Sequence, residues 1–154
     1  MYPLADTSIA IACSAGHAFD YAANLENFPQ WFPGAIAITS SDGLPFAAVG
    51  KQYRETVAVP WRGTRQVSIR VTEAEPSRRL VTEGSLAPLL PRMEIEFMAL
   101  GADDCRVTWR MLSRNTRIGP RWTLLPLARR VMTKRAATAM RQLKDRLEGR
   151  SVPS

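Results

Sequence analysis

The sequence contains only two cysteines and one histidine among its 154 residues, and this scarcity limits the metal chemistry that it can support. Cys13 and Cys105 occur in no CxxC pattern and at no cysteine–histidine spacing that is typical of zinc ligands. His17 falls in the first turn of a predicted helix, where we expect it to be exposed rather than catalytic. A cysteine–histidine zinc site is therefore nearly excluded, and at most one disulfide bridge can form. We expect neither a metal ion nor another cofactor.

Long hydrophobic runs and glycine-rich loops are also missing. The longest candidate run, residues 31–41, is broken by Pro33 and Gly34 and is shorter than the roughly 18 apolar residues of a membrane span. The first six residues contain no basic group and no apolar stretch, so we expect no signal peptide. Gly43 and Gly50 are isolated, which argues against a phosphate-binding loop. With 45% hydrophobic and 23% charged residues, we expect a soluble, cytoplasmic globular domain.

Acidic residues are scarce in the last quarter of the chain. The formal net charge is +7 in total, with −3 in residues 1–60, +1 in residues 61–112 and +9 in residues 113–154. Such a basic segment attracts phosphate groups or an anionic membrane surface, but a solvated, arginine-rich helix face gives the same pattern. Arg114, Arg117 and Arg121, next to Trp122, are candidates for contacting an anionic head group. Nucleic acid is not the expected partner, because no set of stacking aromatic residues is interleaved with these basic residues.

The hydrophobic pattern predicts one strand, two short helices, several antiparallel strands and one long helix. Residues 7–13 alternate as a strand, Ser14 is suited to cap the following helix, and residues 25–31 form a second short helix or turn. The period is two in residues 49–59, 65–73, 80–86, 93–97 and 105–111, with one apolar and one polar face. In residues 120–148 the period returns to three or four, and we expect the long helix to begin near Leu127, after Pro126. The sequence thus predicts an antiparallel sheet covered on one face by this helix.

Two segments carry a resemblance to a known superfamily. Residues 18–21 (Ala-Phe-Asp-Tyr) followed by residues 25–31 (Leu-Glu-Asn-Phe-Pro-Gln-Trp) are similar to the early helical signature of the START-like (SRPBCC) superfamily. Residues 71–76 and 79–81 resemble the mid-sheet turn of the same group. This superfamily includes polyketide cyclases and dehydrases, lipid-transfer domains and pollen-allergen-like proteins.

The resemblance implies an α+β helix-grip fold. In this fold, a curved antiparallel sheet of about seven strands wraps around the long C-terminal helix, with two short helices after the first strand and a hydrophobic pocket between sheet and helix. It implies a single domain over residues 1–149, and we expect residues 150–154 to be a disordered tail. It also implies that the first and last strands pair, which would make Cys13 and Cys105 neighbours that stay reduced in the cytoplasm. No catalytic role follows, because the superfamily shares no universal catalytic residue.

Inward-facing side chains of the strands and the long helix are the candidates for a ligand-binding set. Aromatic and methionine side chains provide adaptable apolar walls that suit flat or lipid-like ligands, although a filled core would have the same composition. Trp31, Trp61 and Trp122 either surround the mouth of the pocket or anchor loops on the core. The predicted ligand-binding residues are Trp31, Tyr53, Glu55, Val57, Ile69, Ile95, Phe97, Trp109, Met111, Leu125, Ala128 and Met132.

Glu55 is the most informative of these residues. It shares its place in the alternation with Val57 and Val59, so its carboxyl group is predicted to face the apolar side, where burial raises its pKa. It could then accept a hydrogen bond from a ligand hydroxyl or serve as a general base, with Tyr53 on the same face as a hydrogen-bond donor. The alternative is a strand end or a bulge that turns Glu55 toward solvent.

Three functions are compatible with these patterns. The first is binding of a small hydrophobic or lipid-like molecule in an internal cavity, as a carrier or for sequestration. The second is a cyclase or dehydratase that acts on polyketide-like intermediates, with Glu55 or Tyr53 as weak candidates for moving a proton. The third is an interaction protein, membrane-associated or ribosome-associated, that uses the basic C-terminal helix.

Overall fold

The structure is a computed structural model, and it describes residues 1–59, 63–117, 119 and 122–149. Trp61, Arg121 and the predicted tail at residues 150–154 lie outside the described residues, and the single domain over residues 1–149 stays a prediction. No helix in the described ranges is both long enough and apolar enough to span a lipid bilayer.

Seven strands form one antiparallel sheet with the spatial order β1-β7-β6-β5-β4-β3-β2. The strands are β1 (Tyr2–Ile11), β2 (Ala37–Ser40), β3 (Gln52–Val59), β4 (Gly63–Glu75), β5 (Arg79–Gly84), β6 (Pro91–Gly101) and β7 (Asp104–Ser113). Helix α1 (Ala15–Ala22) and a 3₁₀ helix (Leu25–Gln30) follow β1, and helix α2 (Leu124–Leu147) follows β7. This curved sheet with a long C-terminal helix confirms the α+β helix-grip fold that the resemblance implied.

The helix that follows β1 begins where the sequence indicates. The Ser14 side chain accepts a hydrogen bond from the backbone N–H of His17 (3.1 Å), so it satisfies one of the amide groups that a helix start leaves without a partner. Phe19 then anchors α1 on the sheet, with its ring 5.4 Å from that of Phe97 on β6. His17 is exposed, as expected.

The alternation along β6 and β7 separates a buried face from a solvated one. Met93, Ile95 and Phe97 are buried, as are the inward residues of β7, whereas Glu94 and Glu96 lie on the outer face. On that face the Glu96 carboxylate accepts from Arg79 (2.5 Å) and from Arg110 (3.0 Å). The outer face of the sheet therefore carries ion pairs, and the covered face is packed with apolar side chains.

The second half of α2 packs closely on β1. The buried residues there include two alanines, Ala136 and Ala139, as well as Leu143. The Lys144 ammonium donates to the backbone carbonyl of Ala10 (3.2 Å), and just before this half the Thr133 hydroxyl donates to that of Leu4 (3.2 Å). Alanine side chains allow this close approach of helix and strand. In the first half of α2 only Leu125 is fully buried.

Several boundaries differ from the expectations. Helix α2 begins at Leu124 rather than near Leu127, because Pro126 lies in the first turn, where no backbone N–H is needed for an intrahelical bond. Strand β1 begins at Tyr2 rather than at residue 7. It is an edge strand, which tolerates Pro3, and its register shifts just after this proline. Strand β2 was not predicted, since Ile38 is its single buried residue and four residues show no clear alternation.

Candidate functional site

A cavity of about 420 Å³ lies between the first half of α2 and the covered face of the sheet. Its wall includes residues of β2 to β7, of the 3₁₀ helix with the segment that follows it, and of α2. This volume falls within the usual range of ligand pockets, about 300–1,000 Å³. The interior is thus hollow beneath one half of the helix and closely packed beneath the other.

Aromatic side chains fill the interior beside the cavity. The Phe28 ring stacks on Phe32 (4.8 Å between centroids), and Phe32 lies 4.9 Å from the ring of Trp109. Phe28 and Phe32 line the cavity, whereas Trp109 is fully buried and does not line it. This cluster, carried largely by the 3₁₀ helix and the segment after it, therefore limits the cavity on one side.

The twelve predicted ligand-binding residues divide into two sets of six, and ligand contact stays a prediction for all of them. The periodicity along a strand indicates which face of the sheet a side chain is on. It does not indicate whether that side chain borders a cavity or is packed in the core, so the two sets have the same inward pattern. The six that line the cavity are Glu55, Val57, Ile69, Met111, Ala128 and Met132. The six that lie in the packed interior, outside the cavity wall, are Trp31, Tyr53, Ile95, Phe97, Trp109 and Leu125.

Glu55 faces the cavity rather than solvent. It lies opposite Ile38 of β2 and Val67 of β4, and both of these apolar residues line the cavity with it. Burial raises the pKa of the Glu55 carboxyl group to about 7, and no basic group of the described chain opposes this effect. A carboxyl group with this pKa is present in both protonation states near neutral pH, so it can donate or accept a hydrogen bond.

Tyr53 does not join Glu55 at the cavity. Its side chain is 1% exposed, and its hydroxyl group lies near the Leu25 backbone without a hydrogen bond of ordinary geometry to any described residue. Burial raises the pKa of Tyr53 to about 12. The two side chains share a face of β3, but only the carboxyl group reaches the hollow part of the interior.

Thr82 and Arg135 are cavity-lining residues that the sequence reasoning did not single out. Apart from Glu55, they are the only polar side chains of the described chain in the cavity wall. Thr82 on β5 is 3% exposed, and its inward parity with Leu80 is the signal that could have identified it. Arg135 lies three residues after Met132 on α2, a spacing that places it beside the predicted apolar residues.

The tryptophans take different roles. Trp31 is fully buried, and its ring meets that of Phe28 edge-on at 4.9 Å, so it anchors the segment after the 3₁₀ helix on the core. Trp122 is 80% exposed just before α2. Trp61 belongs to the part of the chain that is not described.

The two cysteines are buried neighbours and form no disulfide bridge. Ile11, at the end of β1, pairs with Cys105 on β7, which brings Cys13 close to Cys105. Burial raises the pKa of the Cys13 thiol, and it raises that of Cys105 to about 11. The pairing of the first and last strands, which the family resemblance implied, is therefore present.

Comparisons with known proteins agree with the helix-grip fold and with the family resemblance of the sequence. The family model described as "Polyketide cyclase / dehydrase and lipid transport" matches residues 4–148. The comparison with curated proteins finds no match. Among solved structures, the di-domain ARO/CYC BexL from the BE-7585A biosynthetic pathway is similar with a TM-score of 0.73 and 16% identity. The alignment covers 96% of this chain and 47% of BexL, so the chain spans about half the length of that protein.

Solved structures of comparable length are similar over nearly the whole of both chains. A protein from Deinococcus radiodurans has a TM-score of 0.69 and 18% identity over 94% of this chain and 95% of its own. A protein from Thermobifida fusca has a TM-score of 0.67 and 17% identity over 97% of both chains. At such identities the structural matches establish the fold alone, whereas the family model covers nearly the whole sequence. The chain therefore belongs to the polyketide cyclase/dehydrase and lipid-transport family.

Proposed function

We propose that this protein binds a small hydrophobic or lipid-like molecule in the cavity beneath α2, as a carrier or for sequestration. The observation that carries the proposal is the hollow itself: about 420 Å³, lined by apolar side chains and by only three polar ones among the described residues. A small number of polar groups in an apolar wall is the usual composition of a site that orients a hydrophobic ligand. The cytoplasmic location stays a prediction.

A cavity-filling experiment tests this function. The purified protein is titrated with the neutral dye N-phenylnaphthylamine, whose fluorescence rises in an apolar site. Ile69→Trp and Val57→Trp each place a large ring in the cavity, and both are expected to abolish the rise. Val49→Trp is the matched control, because Val49 is 61% exposed and does not line the cavity. Equal dye binding by all four proteins would contradict the proposal.

Native mass spectrometry addresses the natural ligand. The protein is sprayed under native conditions, and any bound molecule is then released by denaturing extraction and identified. We expect a hydrophobic adduct that is missing from Ile69→Trp. An adduct of equal amount in the filled variant would place the molecule elsewhere on the protein.

A second candidate is a cyclase or dehydratase of polyketide-like intermediates. It is favoured by the Glu55 carboxyl group, which has no hydrogen-bond or ion-pair partner among the described residues and whose pKa of about 7 suits proton transfer near neutral pH. Tyr53 is a weaker candidate, since it lies outside the cavity wall. In this case Glu55→Gln would abolish turnover while dye binding is kept. A ligand that is bound but never converted would instead favour the carrier function.

A third candidate is docking on an anionic membrane surface through the first half of α2. Leu124, Leu127 and Val131 line the mouth of the cavity and are 37%, 60% and 41% exposed. The exposed Arg130 and Lys134 flank this apolar strip. Exposed apolar side chains next to basic ones are typical of helices that lie on anionic lipid, and lipid suits them better than the ribosome.

Vesicle flotation tests this docking. We expect binding to phosphatidylcholine vesicles only when phosphatidylserine is included, and weaker binding at high salt. Leu127→Asp is expected to remove the binding, while Leu44→Asp, at a residue that is 46% exposed outside the cavity mouth, keeps it. Salt-dependent binding to RNA without vesicle binding would favour the ribosome-associated alternative.

A further inference from the structure

Arg135 is the only basic side chain that lines the cavity in the described part of the chain. It forms no ion pair with an acidic residue of that part. The arginines of the sheet differ in this respect, since Arg79, Arg92 and Arg110 each contact at least one glutamate. A cation at the wall of an apolar cavity without an acidic partner is available to a ligand.

The guanidinium group of Arg135 is placed by the backbone of Gly34. Gly34 has a φ of 89°, a left-handed conformation that favours glycine, and a Cβ at this residue would lie 2.6 Å from Nη1 of Arg135. The missing side chain of Gly34 leaves the space that the guanidinium group occupies. Gly34 and Arg135 both line the cavity, so the charge lies at its border rather than away from it.

The acidic Glu55 and the basic Arg135 lie on different sides of the cavity wall. The Glu55 carboxyl group belongs to the sheet side of the wall, on β3, whereas Arg135 belongs to the helix side, on α2. Arg135 does not contribute to the raised pKa of Glu55, which burial alone explains. A negatively charged ligand group is thus attracted by Arg135 and repelled by an ionised Glu55. A neutral hydroxyl or carbonyl group suits Glu55.

We propose that the ligand is a hydrophobic carboxylic acid whose carboxylate binds Arg135 while its apolar body fills the cavity. The planar guanidinium group carries five N–H donors in a fork that matches the two oxygens of a carboxylate. The wall around it is otherwise apolar except for Thr82 and Glu55. This inference rests on the proposed binding function and defines the class of molecule that is bound.

Displacement of N-phenylnaphthylamine by decanoate and by decanol tests the inference. The two competitors share an apolar chain and differ in the carboxylate. We expect decanoate to displace the dye from the wild-type protein at lower concentration than decanol does. In Arg135→Gln the decanoate concentration should rise about tenfold, the usual effect of one hydrogen bond to a charged group at a partly exposed site, while that of decanol stays unchanged.

Arg141→Gln is the matched control. It removes the same charge from the same helix, and Arg141 is exposed like Arg135, but it donates to Thr138 and does not line the cavity. It should leave the displacement by both competitors unchanged. Circular dichroism and the melting temperature establish that each variant is folded.

The possible failures are distinguishable. If the dye binds but Arg135→Gln weakens decanoate and decanol equally, or changes neither, the carboxylate proposal is wrong while the binding function stands. The proposal is also wrong if Arg141→Gln weakens decanoate as much as Arg135→Gln does, since net charge then explains the effect. If the dye does not bind the wild-type protein at all, the binding function itself is overturned.

Discussion

Replacement of Glu55 by glutamine is expected to stabilise the folded protein in a pH-dependent manner. Burial raises the pKa of this carboxyl group from 4.5 to about 7. The folded state therefore binds the Glu55 proton more tightly than the unfolded state does, so the free energy of unfolding contributed by Glu55 falls as the pH rises. The contribution of the neutral carboxyl group is fully present below pH 4.5 and is lost as the pH rises through about 7.

The size of the effect follows from the same two values. Each decade in a protonation equilibrium corresponds to about 1.4 kcal/mol, so a pKa that rises from 4.5 to about 7 represents at most about 3 kcal/mol. The partial exposure of Glu55 reduces this amount, because solvent stabilises the ionised carboxylate. Glutamine has nearly the shape of the protonated side chain and does not ionise. The variant should thus match the wild-type protein near pH 4.5 and exceed its stability by about 1–3 kcal/mol at pH 8.

Urea denaturation at several values between pH 4.5 and pH 8 measures this difference. Glu75→Gln is the control, since Glu75 is exposed near the end of β4 and makes no contact with the cavity. Its exchange should alter the free energy of unfolding by less than about 0.5 kcal/mol at each pH. A constant difference between Glu55→Gln and the wild-type protein over this range would show that Glu55 ionises as a solvated carboxylate. The argument from burial would then be refuted.

Two further predictions concern the packed part of the interior. Trp31→Ala should lower the free energy of unfolding, measured by urea denaturation, by about 3–5 kcal/mol, because Trp31 is fully buried. Trp122→Ala is the control: Trp122 is 80% exposed, so its replacement should change this free energy by less than about 0.5 kcal/mol. Cys13 and Cys105 should react with a thiol reagent only after denaturation, because both are buried and free. Two thiols per chain should then be counted. Rapid reaction of the native protein, or no thiol after denaturation, would contradict this.

The sequence predicted the faces of the strands and the order of the elements well. Met93, Ile95 and Phe97 alternate with charged residues, and the structure buries the former and places the ion pairs of the latter on the outer face. The cap at Ser14 was equally clear, because it depends on residues three positions apart. Such features are local, so a pattern within about ten residues determines them.

The site was predicted only in part, because its extent depends on contacts between distant segments. Tyr53 and Glu55 have the same parity on β3, yet one is packed near Leu25 and the other borders the cavity. The position of Arg135 depends on Gly34, about a hundred residues earlier in the chain. No periodicity within either segment indicates that these two residues meet.

Helix α2 has one half that is packed on the sheet and one half that lies above the cavity. The same substitution, alanine to leucine, is therefore expected to have different effects in the two halves. Ala139 is 0% exposed in the half that packs on the sheet, so Ala139→Leu should destabilise the protein by about 1–3 kcal/mol through overpacking. Ala128 lines the cavity, so Ala128→Leu extends into free space and should leave the stability unchanged or slightly higher, while it weakens binding of N-phenylnaphthylamine. The comparison needs only urea denaturation and dye titration. If the two variants lose equal stability, the space beneath Ala128 is filled in solution, and neither a bound acid nor a cyclised intermediate has room there.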